Sequence, residues 1–266
     1  MLEHLKDALR SQKTAPKAEM TAKSNHKLGI ISYCDHFRTF AHINHQYYAD
    51  KHGYHYIFDA APTHRGPYHN KIEKLLKFLD LFEWVFWIDD DGFFTQYDQP
   101  LEKFLKGHED KDLVFCKSPE NVDDKGNPIW TYLSSGNFFM KNTPRVREFL
   151  EACLAMTPEE IRDQWDSKKF GHFTNGDQDI MVHLLHNDER FMHENFHVCL
   201  PYEKFNTRPF HFKKKSNEHF LVHFTGNDKH GQAVTFGERL GLSHALIPQE
   251  AYEQYKGRHS LEESAA

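Results

Sequence analysis

Cysteine is scarce and scattered. The four in 266 residues, Cys34, Cys116, Cys153 and Cys199, form no C-x-x-C pair. That spacing argues against a structural zinc site and offers no disulfide framework, so reduced thiols of an intracellular protein are expected. Long apolar runs are also missing. No stretch approaches the roughly 20 apolar residues of a membrane span, and the N-terminus has no apolar core of the secretory kind. A surplus of positive charge is absent as well. Lys and Arg number 33 against 39 Asp and Glu, a formal charge of −6 with both signs mixed along the chain. No basic surface for nucleic acid is advertised. What is plentiful is aromatic side chain, 14% of the residues and 23 of them Phe, which suits a chain able to bury a proper core. A soluble cytoplasmic protein is the expectation.

Along the chain, residues 1–26 stand apart. Leu2, Leu5 and Leu9 share a face of a short helix, and a polar linker follows; a tail is expected there, with a membrane-surface or partner helix as the alternative. One α/β domain is expected over residues 27–240, with a C-terminal tail over 241–266. "KLGIISYC" gives a strand from Leu28 to Tyr33, a helix follows and stops at Gly53, and "YHYIFDA" is a second strand. "NKIEKLLKFLDLF" carries a helical stripe at Ile72, Leu75, Leu76 and Leu79. Strand, helix, strand, helix, strand is the pattern of a parallel sheet with crossover helices. Later segments add strands at "DLVFCKS", "NFFMKN" and "HFLVHFTG", and helices at "PRVREFLEACLAM", "PEEIRDQWD" and "DQDIMVHLLH".

The chemistry concentrates at "WVFWIDDDGFF". Trp84 to Ile88 read as a strand buried on both faces, as in parallel sheets. Three aspartates follow at its carboxyl end, where open α/β sheets bind ligands. With strand alternation continued, Asp89 and Asp91 share one side and Asp90 takes the other. Crowded carboxylates suit a hard divalent cation that would also hold phosphates. A solvated acidic turn is the plainer reading of the same residues.

"PYHNKIEKLLKFLDLFEWVFWIDDDGFF" resembles glycosyltransferase family 34, the galactosyl-, xylosyl- and mannosyltransferases of the GMA12/MNN10 type. The resemblance runs on in order through "HGYHYIF", "LSSGNFFMKN", "GDQDIMVHLL" and "LVHFTG", covering roughly residues 28–230. It implies a single GT-A domain, Rossmann-like, with a mixed, mostly parallel sheet flanked by helices. It also implies a nucleoside-diphosphate sugar donor, UDP favoured over GDP, a Mn²⁺ or Mg²⁺ ion, and transfer with retention to a hydroxyl of a glycan or lipid-linked acceptor.

By the same resemblance, Asp89, Asp91 and His223 hold the metal, and Asp90 reaches ribose or donor sugar. Ser32 and Tyr33 meet the base, Lys71 the nucleotide or its phosphates, and Gly226 lets backbone approach the diphosphate. Lys229 would neutralise the leaving diphosphate, although it stands one residue later after the glycine than the pattern has it. Ser135, Gly136 and Asn137 form the acceptor-side turn, with Ser134 where the family carries Asn. Asp177 and Gln178 lie beside the donor sugar and its anomeric carbon. Front-face displacement and a carboxylate adduct both stay open. A nucleotide-sugar hydrolase and a non-catalytic binding protein are the rival functions.

Overall fold

The computed structural model describes residues 27–63, 65–122, 128–212 and 219–259, so the expected N-terminal helix lies outside the described residues. The first half follows the alternation read from the sequence: β1 (Leu28–Tyr33), α1 (Ala41–His52), β2 (His55–Asp59), α2 (Asn70–Phe78) and β3 (Trp84–Ile88). Then come β4 (Gly92–Phe94), β5 (Leu113–Cys116), the small hairpin β6 (Asn121–Val122) and β7 (Pro128–Ile129), and β8 (Ser134–Lys141). Helices α3 (Pro144–Leu154), α4 (Pro158–Ile161), α5 (Ser167–Phe170) and α6 (Asp177–Asn187) lead to β9 (His197–Leu200) and β10 (Leu221–His223). Helices α7 (Lys229–Leu240) and α8 (Gln249–His259) end the described chain.

Six strands make the main sheet in the order β2-β1-β3-β8-β5-β9. Only β8 runs against its neighbours β3 and β5; the other pairings are parallel. This is the mixed, mostly parallel α/β sheet expected. Strand β3 is buried along its whole length because both of its faces are covered. Val85 and Trp87 join Ile72, Leu75, Val146, Phe149, Ile180 and Leu184 under α2, α3 and α6. Phe86 and Ile88 join Tyr48, Phe94, Phe139, Phe205 and Phe220 on the α1 side. Each such buried aromatic contributes on the order of 2 kcal/mol by removal from water.

Three segments differ from the sequence expectation. The "SSGN" turn is instead the first half of β8, buried and paired, with a register shift on β5 between Phe115 and Cys116. The last strand does not close the main sheet; β10 pairs antiparallel with β4 in a separate two-stranded ribbon. Leu221 packs toward the sheet while Val222 packs under α7 with Phe224 and Phe236. An apolar run alone cannot tell those two placements apart. Finally, residues assigned to a C-terminal tail pack on the domain, with Ala245, Ile247, Tyr252 and Tyr255 against Ile43 of α1. Among the described residues no helix is long and apolar enough to cross a membrane.

Candidate functional site

The aspartates leave the sheet in a turn. Strand β3 ends at Ile88, Gly92 N–H donates to the Asp89 carbonyl at 3.0 Å, and Asp89 N–H donates to Gly136 O of β8 at 2.8 Å. Asp89 and Asp91 therefore meet by reversal of the chain rather than by strand pleat. A chain of hydrogen bonds props this turn from behind. The Gly92 carbonyl can only accept, so His45 Nε2 donates to it at 2.8 Å. His45 Nδ1 then accepts from Tyr56 OH at 3.1 Å, and Tyr56 accepts from Ser32 Oγ at 2.7 Å. Burial pushes the His45 imidazolium down to about 3, keeping the ring neutral as this chain requires.

His223 at the end of β10 faces the turn. Its Nε2 lies 2.9 Å from Asp91 Oδ1, and Lys229 Nζ, on the first residue of α7, lies 2.5 Å from Asp91 Oδ2. Burial raises the Asp91 carboxyl, but His223 and Lys229 outweigh it and hold the group well below the usual range. Asp89 goes the other way, raised by burial against the pull of Lys71, with Asp91 adding to the rise. Gly226 follows β10 with φ +97°, a backbone conformation that L side chains rarely adopt, and it lines the same cavity.

Lys71 joins two parts of the sequence that lie far apart. Its Nζ is 3.2 Å from Asp89 Oδ1 and 3.0 Å from Asp177 Oδ2, and it donates to Ser135 O at 2.7 Å. Burial lowers this amine, yet Asp177 and Asp89 overcome that and keep it charged. Asp177 does not cap its helix. That task falls to Asp179, whose carboxylate accepts from the Thr174 and Gly176 N–H groups at 3.2 and 3.1 Å. Gln178 Oε1 accepts from Ser135 N–H at 3.3 Å. Gly136 is glycine for space. A Cβ there would stand 2.3 Å from His223 Cε1.

A cavity of about 630 Å³ holds these groups together, lined by Asp89, Asp91, His223, Lys229, Gly226, Lys71's partners Ser135 and Asp177, and Gln178. Five predicted residues are not on its wall: Lys71, which is bound to the lining residues Asp89, Ser135 and Asp177, and four others. Ser32 is fully buried, its hydroxyl held by Tyr56. Tyr33 lies under the Lys74 ammonium, 5.0 Å from ring centroid to Nζ. Asp90 turns away, its carbonyl accepting from Thr39 Oγ1 at 2.6 Å, and burial beside Asp91 and Asp89 raises its carboxyl to about 7. Asn137 is buried behind His223, its Nδ2 3.4 Å from Nδ1.

Sequence reading missed Arg208, which lines the cavity and is pulled down to about 10 by burial, with Asp91 and Asp89 opposing. It missed Asn206, whose Oδ1 is 3.0 Å from His223 Nδ1. Trp130, Thr131 and His172 also line the cavity and were unread. All of these sit in irregular segments where no periodicity or motif marks them.

The donor set suits a hard or borderline divalent cation. One atom each from Asp89, Asp91 and His223 lie within 4.8 Å of one another, two carboxylate oxygens and an imidazole nitrogen. Lys71 and Lys229 neutralise the two carboxylates from outside that group.

The sequence model of the galactosyl transferase GMA12/MNN10 family matches residues 23–233. Probable glycosyltransferase 3 of Oryza sativa subsp. indica is 31% identical over 118 residues, 41% of this chain and 25% of the rice protein. Xyloglucan 6-xylosyltransferase 1 of Arabidopsis thaliana is 31% identical over 123 residues, 43% of this chain and 25% of the plant protein. The matched part thus spans about a quarter of those relatives. A crystal structure of a glycosyltransferase involved in the glycosylation of the major capsid of PBCV-1 is similar at TM-score 0.56, over 79% of this chain and 98% of that one. At 12% identity that likeness concerns the fold, which is GT-A.

Proposed function

The chain belongs to the galactosyl transferase GMA12/MNN10 family, and from that premise we propose a metal-dependent, retaining transfer of a sugar from a nucleoside diphosphate. The donor is a UDP-sugar in preference to a GDP-sugar, with galactose, xylose or mannose as the sugar class. The acceptor is a hydroxyl of a glycan or lipid-linked sugar. One observation carries the reading: the Asp89, Asp91 and His223 ligand atoms converge on the cavity that also holds Asp177 and Gln178.

Asp89, Asp91 and His223 would hold the cation, whose chemistry is to neutralise and orient a leaving diphosphate. Lys229, Arg208 and the backbone at Gly226 add positive or donor character to the same wall. Lys71 fixes the Asp177 carboxylate at 3.0 Å, which makes it a poor nucleophile and a good anchor for sugar hydroxyls. Gln178 is held in place by the Ser135 N–H before any ligand arrives, and an amide is too weak a nucleophile for a covalent adduct. A front-face displacement fits these residues. The acceptor oxygen forms its bond to the anomeric carbon as the bond to the phosphate oxygen breaks, and the acceptor proton passes to the departing phosphate. Trp130, Thr131 and His172 also line the cavity and would be available to contact an acceptor.

Mass spectrometry of products tests this directly. The protein with Mn²⁺ and a set of UDP- and GDP-sugars, with and without added glycans, is expected to give a heavier acceptor. Free sugar regardless of acceptor would mean a hydrolase. No product together with retained nucleotide-sugar binding would mean a binding protein.

A further inference from the structure

Asn206 is completely buried between Phe205 and Thr207. Its Nδ2 donates to the Lys117 carbonyl, just past β5, at 3.0 Å. A carbonyl can only accept, so that contact fixes which way round the amide lies. The amide oxygen must then be the atom 3.0 Å from His223 Nδ1. That oxygen too can only accept, so Nδ1 carries a hydrogen. Other contacts are longer: Arg208 Nη1 and Ser134 Oγ each stand 3.4 Å from the same oxygen, and Asn137 Nδ2 stands 3.4 Å from Nδ1. With Nδ1 protonated, the neutral imidazole keeps its lone pair on Nε2, the atom 2.9 Å from Asp91 Oδ1. With the ring neutral, a lone pair and a carboxylate oxygen at that distance repel, and a cation shared between them relieves the repulsion; a charged ring would instead donate from Nε2 to Asp91.

We infer that Asn206 is a positioning residue, setting the tautomer and ring orientation of His223 so that Nε2 faces the cation site as a ligand. This rests on the metal-dependent reading above and deepens it. Partners on the far nitrogen of a ligating histidine act in this way, and their loss commonly costs about 10- to 100-fold in metal affinity. The support is rigid, because the amide is anchored to the end of β5 while His223 N–H donates to Thr207 O at 2.8 Å in the next residue of the same segment.

Two measurements decide it. Electron paramagnetic resonance of free Mn²⁺ gives metal affinity without catalysis. Asn206→Leu is expected to bind Mn²⁺ about 10- to 100-fold more weakly than the parent, while Asn206→Asp, which keeps an accepting oxygen, recovers most of the affinity. A folded Asn206→Leu protein with parental affinity would overturn the inference. The second measurement needs no variant and no metal. Imidazole ¹⁵N shifts of His223 are expected to show a proton on Nδ1 whether the ring is neutral or charged, and an unprotonated Nδ1 would overturn the inference even if Asn206→Leu did not fold. A parent that binds no Mn²⁺ would instead count against the metal-dependent function, leaving the tautomer to the nitrogen spectrum.

Discussion

Gln178 and Asp177 are chain neighbours with different tethers, and the difference predicts different defects. Gln178 is held through Ser135 N–H and carries no charge, so its amide dipole matters most when positive charge develops on the sugar. Gln178→Ala is expected to bind donor almost normally while turnover falls on the order of 10²-fold. Asp177 pairs with Lys71, so Asp177→Ala should weaken donor affinity as well. Donor dissociation constants and turnover for both variants check this, and lost donor binding with full turnover at saturation in Gln178→Ala would remove it from the reaction centre. Gly136 offers a steric test. A methyl group there meets His223 Cε1 at 2.3 Å, so Gly136→Ala should displace the imidazole and weaken Mn²⁺ binding by about tenfold or more. Equal Mn²⁺ affinity in the folded variant would mean that the ring has room to give.

At the scale of elements, α2 is fastened to β2 by Asp59. Its carboxylate lies 3.2 Å from Lys74 Nζ and 2.8 Å from Lys77 Nζ, and Lys74 is itself buried. Burial raises the Asp59 carboxyl, but Lys77, the Ala61 N–H and Lys74 together hold it below its ordinary value. A depressed folded pKa adds stability that is present above the unfolded value, about 3.9, and is lost as pH falls through the lower folded one. Asp59→Asn should cost about 2 kcal/mol near neutral pH, less than a fully buried pair because Lys77 is exposed. Urea midpoints of parent and variant should converge as pH falls below about 4; a gap unchanged there would contradict the assignment. Helix α8 gives a second test of packing. Ile247 is fully buried in the cluster that seats this helix on α1, so Ile247→Ala should cost about 2–4 kcal/mol, read from the same denaturant curves. A loss within experimental scatter would mean that the segment is not docked.

For the molecule as a whole, the legible parts were those whose signal is local. Five apolar residues and three aspartates announced β3 and the acidic turn, and Asp89 with Asp91 were paired correctly by an incorrect route, pleat instead of reversal. Gly136 was visible, but its reason was not, because the crowding comes from a histidine 87 positions later in the chain. Ser32 and Tyr33 went elsewhere because their partners Tyr56 and Lys74 are tertiary neighbours that no spacing reveals. Arg208 and Asn206 lie in irregular chain without a motif. The packing of α8 had only Tyr252 and Tyr255, three apart on a polar segment, as its sign.

The central claim is that Asp89, Asp91 and His223 form a cation site that serves a nucleoside diphosphate. Calorimetric titration of UDP into the protein, with Mn²⁺ and then with chelator, addresses it most directly when parent and Asp91→Asn are compared. The account predicts binding that depends on Mn²⁺ in the parent and is largely lost in a variant with unchanged fold. UDP affinity indifferent to Mn²⁺, or equal in parent and Asp91→Asn, would contradict it.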